Sequence, residues 1–566
     1  MGEAEKDGGI AARLRRAPLA ALFLVILLAW VPGYFTLPPL DRDESRFAQA
    51  SKQMLETGDF VSIRFGDEAR DQKPVGIYWL QSASTAFFGD VLLGRRSEIW
   101  TYRVPSLLAG FSALALVFWM VRWFADTRAA FSAALFLGLA VLVWAETKIA
   151  KTDAVLLATV LGSQSLLLRS YLSNQPGASV TRPSLAHVCI AWATFGFGIL
   201  VKGPIVIIIC LSTALGVSAW DRRFRWLRAL RPALGMLIAA AVVLPWAIAI
   251  YIQTDGAFYA NSLGRDFALK LAGVQETHGS WPGYYAVLAP LTFWPATLVL
   301  LPGLAHGYRQ RRAPAVRFLL VWLATTWLMF ELAPTKLPHY VLPAYPVLAI
   351  LGGLWLANRD QGPRPERLLH LISALLFAAV GVGLIGFALW APYQFGPGGP
   401  AWAFAAGGAA IAAVCVAAFA FGRGQSRRGV AVAALAAIIT YGIIGFGAVP
   451  NLVALDLSSR IAAATAKDKR EGDPAIVLAG YSEPSARFLL GTSTVFATGA
   501  DAAMKIPPQG GVAVVERAEQ EPFLAALAER GLGLTPLEIV EGLNYSNGRT
   551  LRLFVYRVTP QSIRQP

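Results

Sequence analysis

Apolar runs of about 20 residues, separated by short polar junctions, organise most of this chain. A bilayer's hydrocarbon core of ~30 Å needs about 20 apolar residues per helix. That length fits thirteen times, with centres near residues 28, 113, 137, 163, 193, 212, 242, 294, 324, 349, 380, 412 and 440. The junctions alternate in character. Residues 122–128, 172–184, 221–231, 308–317, 358–367 and 423–428 hold most of the short-loop Lys and Arg, while 146–153, 202–204, 253–283, 332–340 and 392–400 are far less basic. The positive-inside bias then puts the N-terminus in the cytoplasm and the first long polar loop outside. An odd number of spans leaves everything after about residue 450 outside as well.

Arg13, Arg15 and Arg16 precede the first apolar run as they would in a signal peptide. The run reaches Pro38-Pro39 without a small-x-small cleavage site, so it reads as a retained first helix. The loop at 39–103 is too long for a mere connection. Phe47, Ala50, Met54 and Leu55 recur at helical spacing before Gly58, and Ile77, Leu80, Ala83, Phe87 and Phe88 form a second stripe. Both suit juxtamembrane helices, with the stripe facing either lipid or the bundle. From residue 473 the composition changes: 475–479, 494–497, 511–515 and 551–558 read as strands and 521–530 as a helix. The predicted fold class is an all-α membrane protein of about thirteen transmembrane helices, with juxtamembrane helices and a small C-terminal α/β extracytoplasmic domain. Residues 1–450 form the membrane domain and 451–566 the outer one.

Composition agrees. Of 566 residues, 55% are hydrophobic and 15% charged, where a soluble domain averages about 25% charged. The net charge of +15 raises nucleic acid as a partner. The basic residues sit in short segments between apolar runs, with no basic stripe carrying interleaved aromatics, which argues against it. Cys189, Cys210 and Cys415 all lie inside apolar runs and imply neither disulfides nor a zinc site.

Candidate chemistry gathers where helices meet the predicted outer face. Asp41-Arg-Asp-Glu-Ser-Arg46 follows the first run, and Asp71-Gln-Lys-Pro74 lies further along the same loop. So dense a cluster at a lipid boundary has to be solvated, paired or used. Lys148, Lys151, Asp153, Lys202, Arg265, His278, Lys336, His339 and Tyr340 fall on the same side. Surface ion pairs, a snorkelling Lys202 and a helix-capping Asp153 are the plain alternatives. Cations beside one or two carboxylates suit a lipid-phosphate substrate: Lys and Arg bind phosphate oxygens, and a carboxylate near a hydroxyl serves as general base. Asp41-x-Asp43 has the form of a metal-binding DxD, a weak signal, and His278 is a further candidate ligand, so a divalent metal stays open.

Asp43-Glu-Ser-Arg46, then Gln72-Lys-Pro74 and Tyr78-Trp79, resembles the D-E-x-R, E-K-P and Y-W pattern of the GT-C glycosyltransferases. Leu200-Val-Lys-Gly203 is similar to the family's T-K-G segment, and Lys336-Leu-Pro-His-Tyr340-Val-Leu-Pro343 to its K-L-P-x-Y-x-L-P motif. Glu276-Thr-His278 ahead of Trp281 and Gly480-Tyr-Ser-Glu-Pro484 add to the likeness, which covers nearly the whole chain. Within that family it looks like the lipid A aminoarabinose transferases, with protein O-mannosyltransferases as more distant relatives. Position 72 departs from the pattern, with Gln where the aminoarabinose transferases have Glu.

The resemblance implies an enzyme of the bacterial inner membrane that moves one sugar, a pentose or hexose such as aminoarabinose. The donor is an undecaprenyl-type polyprenyl phosphate, and the acceptor is lipid A-like or another envelope lipid or glycan. It implies Asp43 as general base oriented by Arg46, with Glu44 in the same catalytic group. Lys73, Lys202 and Lys336 then neutralise the leaving phosphate, and Tyr78, Asp153 and Tyr340 contact sugar or lipid phosphate. A phosphodiester donor releases a phosphate that needs no protonation, which makes inversion the simpler outcome. A lipid-sugar flippase would carry internal repeats and midplane polar sites, and neither is seen in the sequence. An assembly protein whose outer domain binds a partner leaves the ordered loop motifs unexplained.

Overall fold

A computed structural model describes residues 17–40, 42–262, 281–358, 367–468, 470 and 472–560. Helix α1 (Pro18–Trp30) leads into the polar loop that holds α2 (Arg42–Thr57), the short pair β1 (Arg64–Phe65) and β2 (Glu68–Ala69), and α3 (Gly76–Thr85). The membrane helices that follow are α4 (Ile99–Val121), α5 (Thr127–Leu139), the short α6 (Val141–Glu146), α7 (Asp153–Leu172), α8 (Leu185–Lys202), α9 (Ile205–Asp221) and α10 (Pro232–Gln253). After them come α11 (Tyr284–Thr292), α12 (Thr297–Arg309), α13 (Pro314–Glu331), α14 (Tyr345–Ala357), α15 (Arg367–Phe395), α16 (Ala401–Gly422) and α17 (Ser426–Gly442).

Among the described residues, eight helices are long and apolar enough to cross a membrane, and four shorter apolar helices accompany them. This is a multi-pass membrane protein. The apolar run centred near 294 is broken between α11 and α12 at residues 293–296. Helix α7 is the buried centre, with polar Thr159, Ser163, Gln164 and Ser165 all inside. Gln164 Nε2 donates to the Thr213 hydroxyl of α9 at 3.0 Å, a buried hydrogen bond between helices. Helix α10 exposes Met236, Leu237, Leu244 and Ile248, as a lipid-facing helix does. Small residues allow close contact: a Cβ on Gly353 of α14 would lie 2.7 Å from the Ala129 carbonyl of α5.

In the polar loop the two apolar stripes divide. Phe47, Ala50, Met54 and Ile77 are buried in the main core, whereas Phe87, Val91 and Leu92, in a π-helical turn after α3, are exposed. The first stripe therefore packs on the bundle.

Beyond residue 456 the chain forms α18 (Leu457–Ala466), β3 (Val477–Ala479), α19 (Pro484–Leu490), β4 (Val495–Ala497) and α20 (Gly499–Lys505). It ends in β5 (Gly511–Glu516), α21 (Gln520–Glu529), β6 (Leu532–Asn544) and β7 (Arg549–Pro560). The sheet order is β4-β3-β5-β7-β6, with β3 parallel to β4 and β5, and β7 antiparallel to β5 and β6. Alternation along β5 builds the two faces. Val512 and Val514 pack with Ile461 of α18 and Ala486 of α19, while Ala513 and Val515 pack with Ala503 of α20 and Phe523 of α21. Helix α19 fastens this layer to the polar loop, where Lys52 donates to the Phe488 carbonyl at 3.0 Å and Gln49 to Thr492 at 2.7 Å.

Candidate active site

Five segments converge on a cavity of about 250 Å³. Helix α2 brings Asp43, Arg46 and Phe47, and the loop before α3 brings Arg70, Gln72 and Lys73. The junction before α7 and the end of α8 bring Lys151, Thr152, Asp153 and Lys202, and the proline-punctuated segment before α14 brings Thr335, Leu337, His339 and Tyr340.

Successive helical positions point in different directions, and that separates the two acids at the start of α2. Asp43 lies on the cavity side with its carboxylate about half exposed, and Arg46 one turn on is 3.7 Å from it. Glu44 faces inward and is completely buried against Arg103. Its Oε1 accepts from Arg103 Nε and the Ala150 N–H, both at 2.8 Å. Its Oε2 accepts from Arg103 Nη2 at 2.9 Å and the Leu40 N–H at 2.8 Å. Arg103 also donates to the carbonyls of Leu37 and Pro38. The expected catalytic role for Glu44 therefore gives way to anchoring: its oxygens are committed, and it ties the start of α2 to α4 and to the junction before α7.

That junction is held from several sides. Ser106 donates to the Ile149 carbonyl at 2.8 Å and Gln81 to that of Ala150 at 3.0 Å. Lys148 donates to the carbonyls of Trp30 and Pro32 and lies over the Trp144 ring. Burial, with Arg103 nearby, pushes its ammonium down to about 7. Asp153 opens α7 and is buried, with Lys202 Nζ 2.5 Å from its Oδ1 and His339 Nε2 3.9 Å from its Oδ2. Lys202 ends α8, where a cation suits the helix terminus, before Gly203 turns the chain with φ +61°. Its Nζ also lies 5.4 Å from the centre of the Tyr340 ring.

The Gln72–Lys73 loop is seated by Gly76. A Cβ there would come within 2.8 Å of the Leu200 carbonyl, so only glycine lets α3 approach the end of α8 this closely. Arg70 is buried over the Phe47 ring at 4.9 Å and donates to the Tyr78 hydroxyl at 3.0 Å. The sequence reading missed it; its only signal is its place one residue before Asp71-Gln-Lys.

The expected set is thus divided. Asp43, Arg46, Lys73, Asp153, Lys202 and Tyr340 meet around one cavity. Tyr78 is buried behind it, touching Arg70 and Phe47. Lys336 is not among the residues that line the cavity and pairs with Glu331 at 3.7 Å. His278, Arg265 and Asp41 lie outside the described residues. Among the described residues, no group of three His, Cys, Asp or Glu side chains is placed to hold a metal ion. The lining carries Arg46, Arg70, Lys73, Lys151 and Lys202 against Asp43 and Asp153, an excess of cations that favours an anion.

The fold has a close counterpart among solved structures. ArnT from Cupriavidus metallidurans, bound to undecaprenyl phosphate, superposes with a TM-score of 0.74 over 98% of this chain and all of that one, at 18% identity. The chain thus shares the fold of that multi-pass membrane protein, and its motifs resemble those of the GT-C glycosyltransferases. Among these the chain resembles the undecaprenyl phosphate-α-4-amino-4-deoxy-L-arabinose arabinosyl transferases. It is 30% identical to transferase 1 of Pseudomonas fluorescens over 62% of this chain and 63% of that protein. The transferase of Pseudomonas paraeruginosa is 29% identical over 63% and 64%. The match thus spans a little under two thirds of these relatives. Residues 72–248 also match the dolichyl-phosphate-mannose-protein mannosyltransferase family.

Proposed function

We propose that this protein is an inverting glycosyltransferase that moves a single sugar from a polyprenyl phosphate, of the undecaprenyl type, to a lipid A-like or other envelope acceptor. The observation that carries this reading is one exposed carboxylate, Asp43, beside a cation-rich cavity at one end of the membrane helices. Asp43 takes the proton from the acceptor as its oxygen attacks the anomeric carbon. The bond from that carbon to the phosphate oxygen breaks, and the polyprenyl phosphate leaves with the pair of electrons. Arg46 orients Asp43, while Lys73, Arg70 and Lys151 meet the charge on the departing phosphate. Lys202, held by Asp153, sets the inner wall with Tyr340 above it. The cavity is below the ~300–1,000 Å³ of sites that enclose drug-sized ligands, which suits one sugar phosphate head with its lipid tail outside.

The charge pattern of the junctions supports a topology of thirteen spans in the bacterial inner membrane, with the N-terminus in the cytoplasm and the cavity and the C-terminal α/β domain on the outer side. Gln72 lines the cavity where the aminoarabinose transferases have Glu, which removes a negative charge a cationic amino sugar would meet. A protein acceptor is the second reading, favoured by the mannosyltransferase match over residues 72–248.

The test is transfer of labelled sugar from a polyprenyl-phosphate donor by purified protein, with Asp43→Asn as comparison. Loss of a general base lowers the rate by roughly 10²–10⁴-fold, with donor binding and melting temperature kept. Full activity in Asp43→Asn removes Asp43 as base, retention at the anomeric carbon overturns the single displacement, and vectorial lipid movement without transfer makes the protein a flippase.

A further inference from the structure

Gly480-Tyr-Ser-Glu-Pro484 delivers helix α19 to the polar loop. Gly480 turns the chain with φ +78°, and a Cβ there would come within 2.7 Å of Glu516 Cβ. The Tyr481 and Ser458 hydroxyls pair at 2.8 Å, and Glu483 accepts from Asn544 of β6 at 2.9 Å. The start of α19 is thereby fixed to its own domain, and its far end is fixed elsewhere. Phe488 is fully buried among Ala48 of α2, Ile99 and Tyr102 of α4, and Ala150 of the junction before α7. Its ring meets that of Tyr102 edge-on, with centroids 5.4 Å apart. The small side chains at 48 and 150 leave the room that the ring fills.

Two of these neighbours lead to the candidate active site. At about 3.6 residues per turn, α2 presents Asp43, Arg46 and Phe47 on one face and Ala48, Lys52 and Glu56 on the other. The first face lines the cavity. The second is bound to α19 and the turn after it: Lys52 donates to the Phe488 carbonyl at 3.0 Å, and Glu56 accepts from the Thr492 hydroxyl at 2.5 Å. Ala150 directly precedes the lining residues Lys151, Thr152 and Asp153, with its N–H held by Glu44 and its carbonyl by Gln81. We infer that, on the proposed function with Asp43 as base, Phe488 is a positioning residue. It is a wedge from the α/β domain that sets the spacing of α2 from the junction, and so of Asp43 from Lys151 and Asp153. Close-packed interiors transmit strain, so the loss of one ring is felt in the next layer. A displacement near 1 Å at a reacting group costs on the order of 10²-fold in rate.

The test compares full-length wild type, Phe488→Ala, Phe488→Leu and Phe523→Ala. Phe523 is equally buried but packs on the other face of the sheet, so its loss weakens the α/β domain without touching α2. Hydrogen exchange is expected to quicken about tenfold or more in residues 42–57 and 148–153 of Phe488→Ala, and to stay at the wild-type rate there in Phe523→Ala. Phe488→Ala lowers kcat for sugar transfer by roughly 10- to 100-fold with donor KM within about threefold of wild type. Phe523→Ala keeps kcat. Phe488→Leu retains much of the volume and falls between, and it carries the comparison if alanine yields no folded protein. Unchanged exchange in both segments overturns the wedge. Loosened segments with wild-type kcat reduce Phe488 to packing, and an equal loss of kcat in Phe523→Ala assigns the effect to the domain at large; either result overturns the positioning role. A wild type that transfers no sugar overturns the glycosyltransferase reading instead, and exchange alone then decides whether Phe488 holds the two segments.

Discussion

Replacing Glu44 by alanine separates anchoring from chemistry in the charge cluster at the start of α2. Its two oxygens accept four hydrogen bonds, two from Arg103 and one each from the N–H groups of Leu40 and Ala150. Without it, a fully buried guanidinium keeps only the carbonyls of Leu37 and Pro38. Breaking one side of such a pair costs about 3–5 kcal/mol, and each stranded N–H adds about 1 kcal/mol or more. Against a total of ~5–15 kcal/mol for a folded domain, that is a severe loss. Thermal unfolding of the purified protein in detergent measures it, and yield from membranes supports it. Glu44→Leu with Arg103→Met removes both charges together and is expected to recover much of the loss, since no unpaired charge stays buried. A Glu44→Ala protein that melts like wild type yet transfers no sugar would refute the anchoring role and return Glu44 to the chemistry.

Arg70→Ala is expected to raise KM for the lipid donor by roughly 10- to 100-fold, the worth of a charge-assisted hydrogen bond. Arg70→Lys should rescue little, because an ammonium cannot keep both the Tyr78 contact and the Phe47 stack; steady-state kinetics over donor concentration decides. Lys148 gives a pH signature: its ammonium titrates near 7 when folded and at 10.5 when unfolded, so the unfolded chain binds the extra proton between those values. Its contribution to stability therefore rises with pH across that window, and Lys148→Met should show a flatter rise in melting temperature from pH 7 to 9.5 than wild type. Arg487 stacks between Phe65 and Phe496 and donates to the carbonyls of Phe65 and Thr494. Arg487→Ala is expected to loosen the α/β layer from the polar loop, read as faster limited proteolysis near residues 467–473.

The eight helices that, among the described residues, are long and apolar enough to cross a membrane were legible because lipid demands length and apolarity, and both are written into the sequence without reference to tertiary contacts. The C-terminal strands β3, β4, β5 and β7 were legible from short apolar runs. Strand β6 was not: Thr535-Pro-Leu-Glu538 puts a proline in the strand, which the structure absorbs at a register shift between Pro536 and Glu538 on the sheet edge. At the site, spacing and family likeness found the segments that converge but not the direction of each side chain. Lys336 and Thr335 are neighbours, yet only Thr335 lines the cavity. Asp43 and Glu44 are neighbours with unlike surroundings, and the difference lies in Arg103, 59 residues further on. No local pattern encodes so distant a partner.

The convergence also bears on why the carboxylates sit where they do. Lys202 and Asp153 are both largely buried, and each without the other would be an uncompensated charge at a helix end. Their pairing fixes the junction of α7 and α8 before any substrate arrives, so this lysine is spent on shape. Arg46, Lys73, Lys151 and Arg70 also line the cavity of about 250 Å³, where Asp43 and Asp153 are the carboxylates among the described lining residues. Like charges so confined repel, and on the proposed function the donor's phosphodiester head, with its single negative charge, relieves part of that repulsion on entering. Its departure after transfer restores it, so the cations that draw in the donor also set a limit on how tightly they can be packed. Asp43 answers both needs: it lowers the repulsion in the free site and, half exposed, stays within reach of an acceptor.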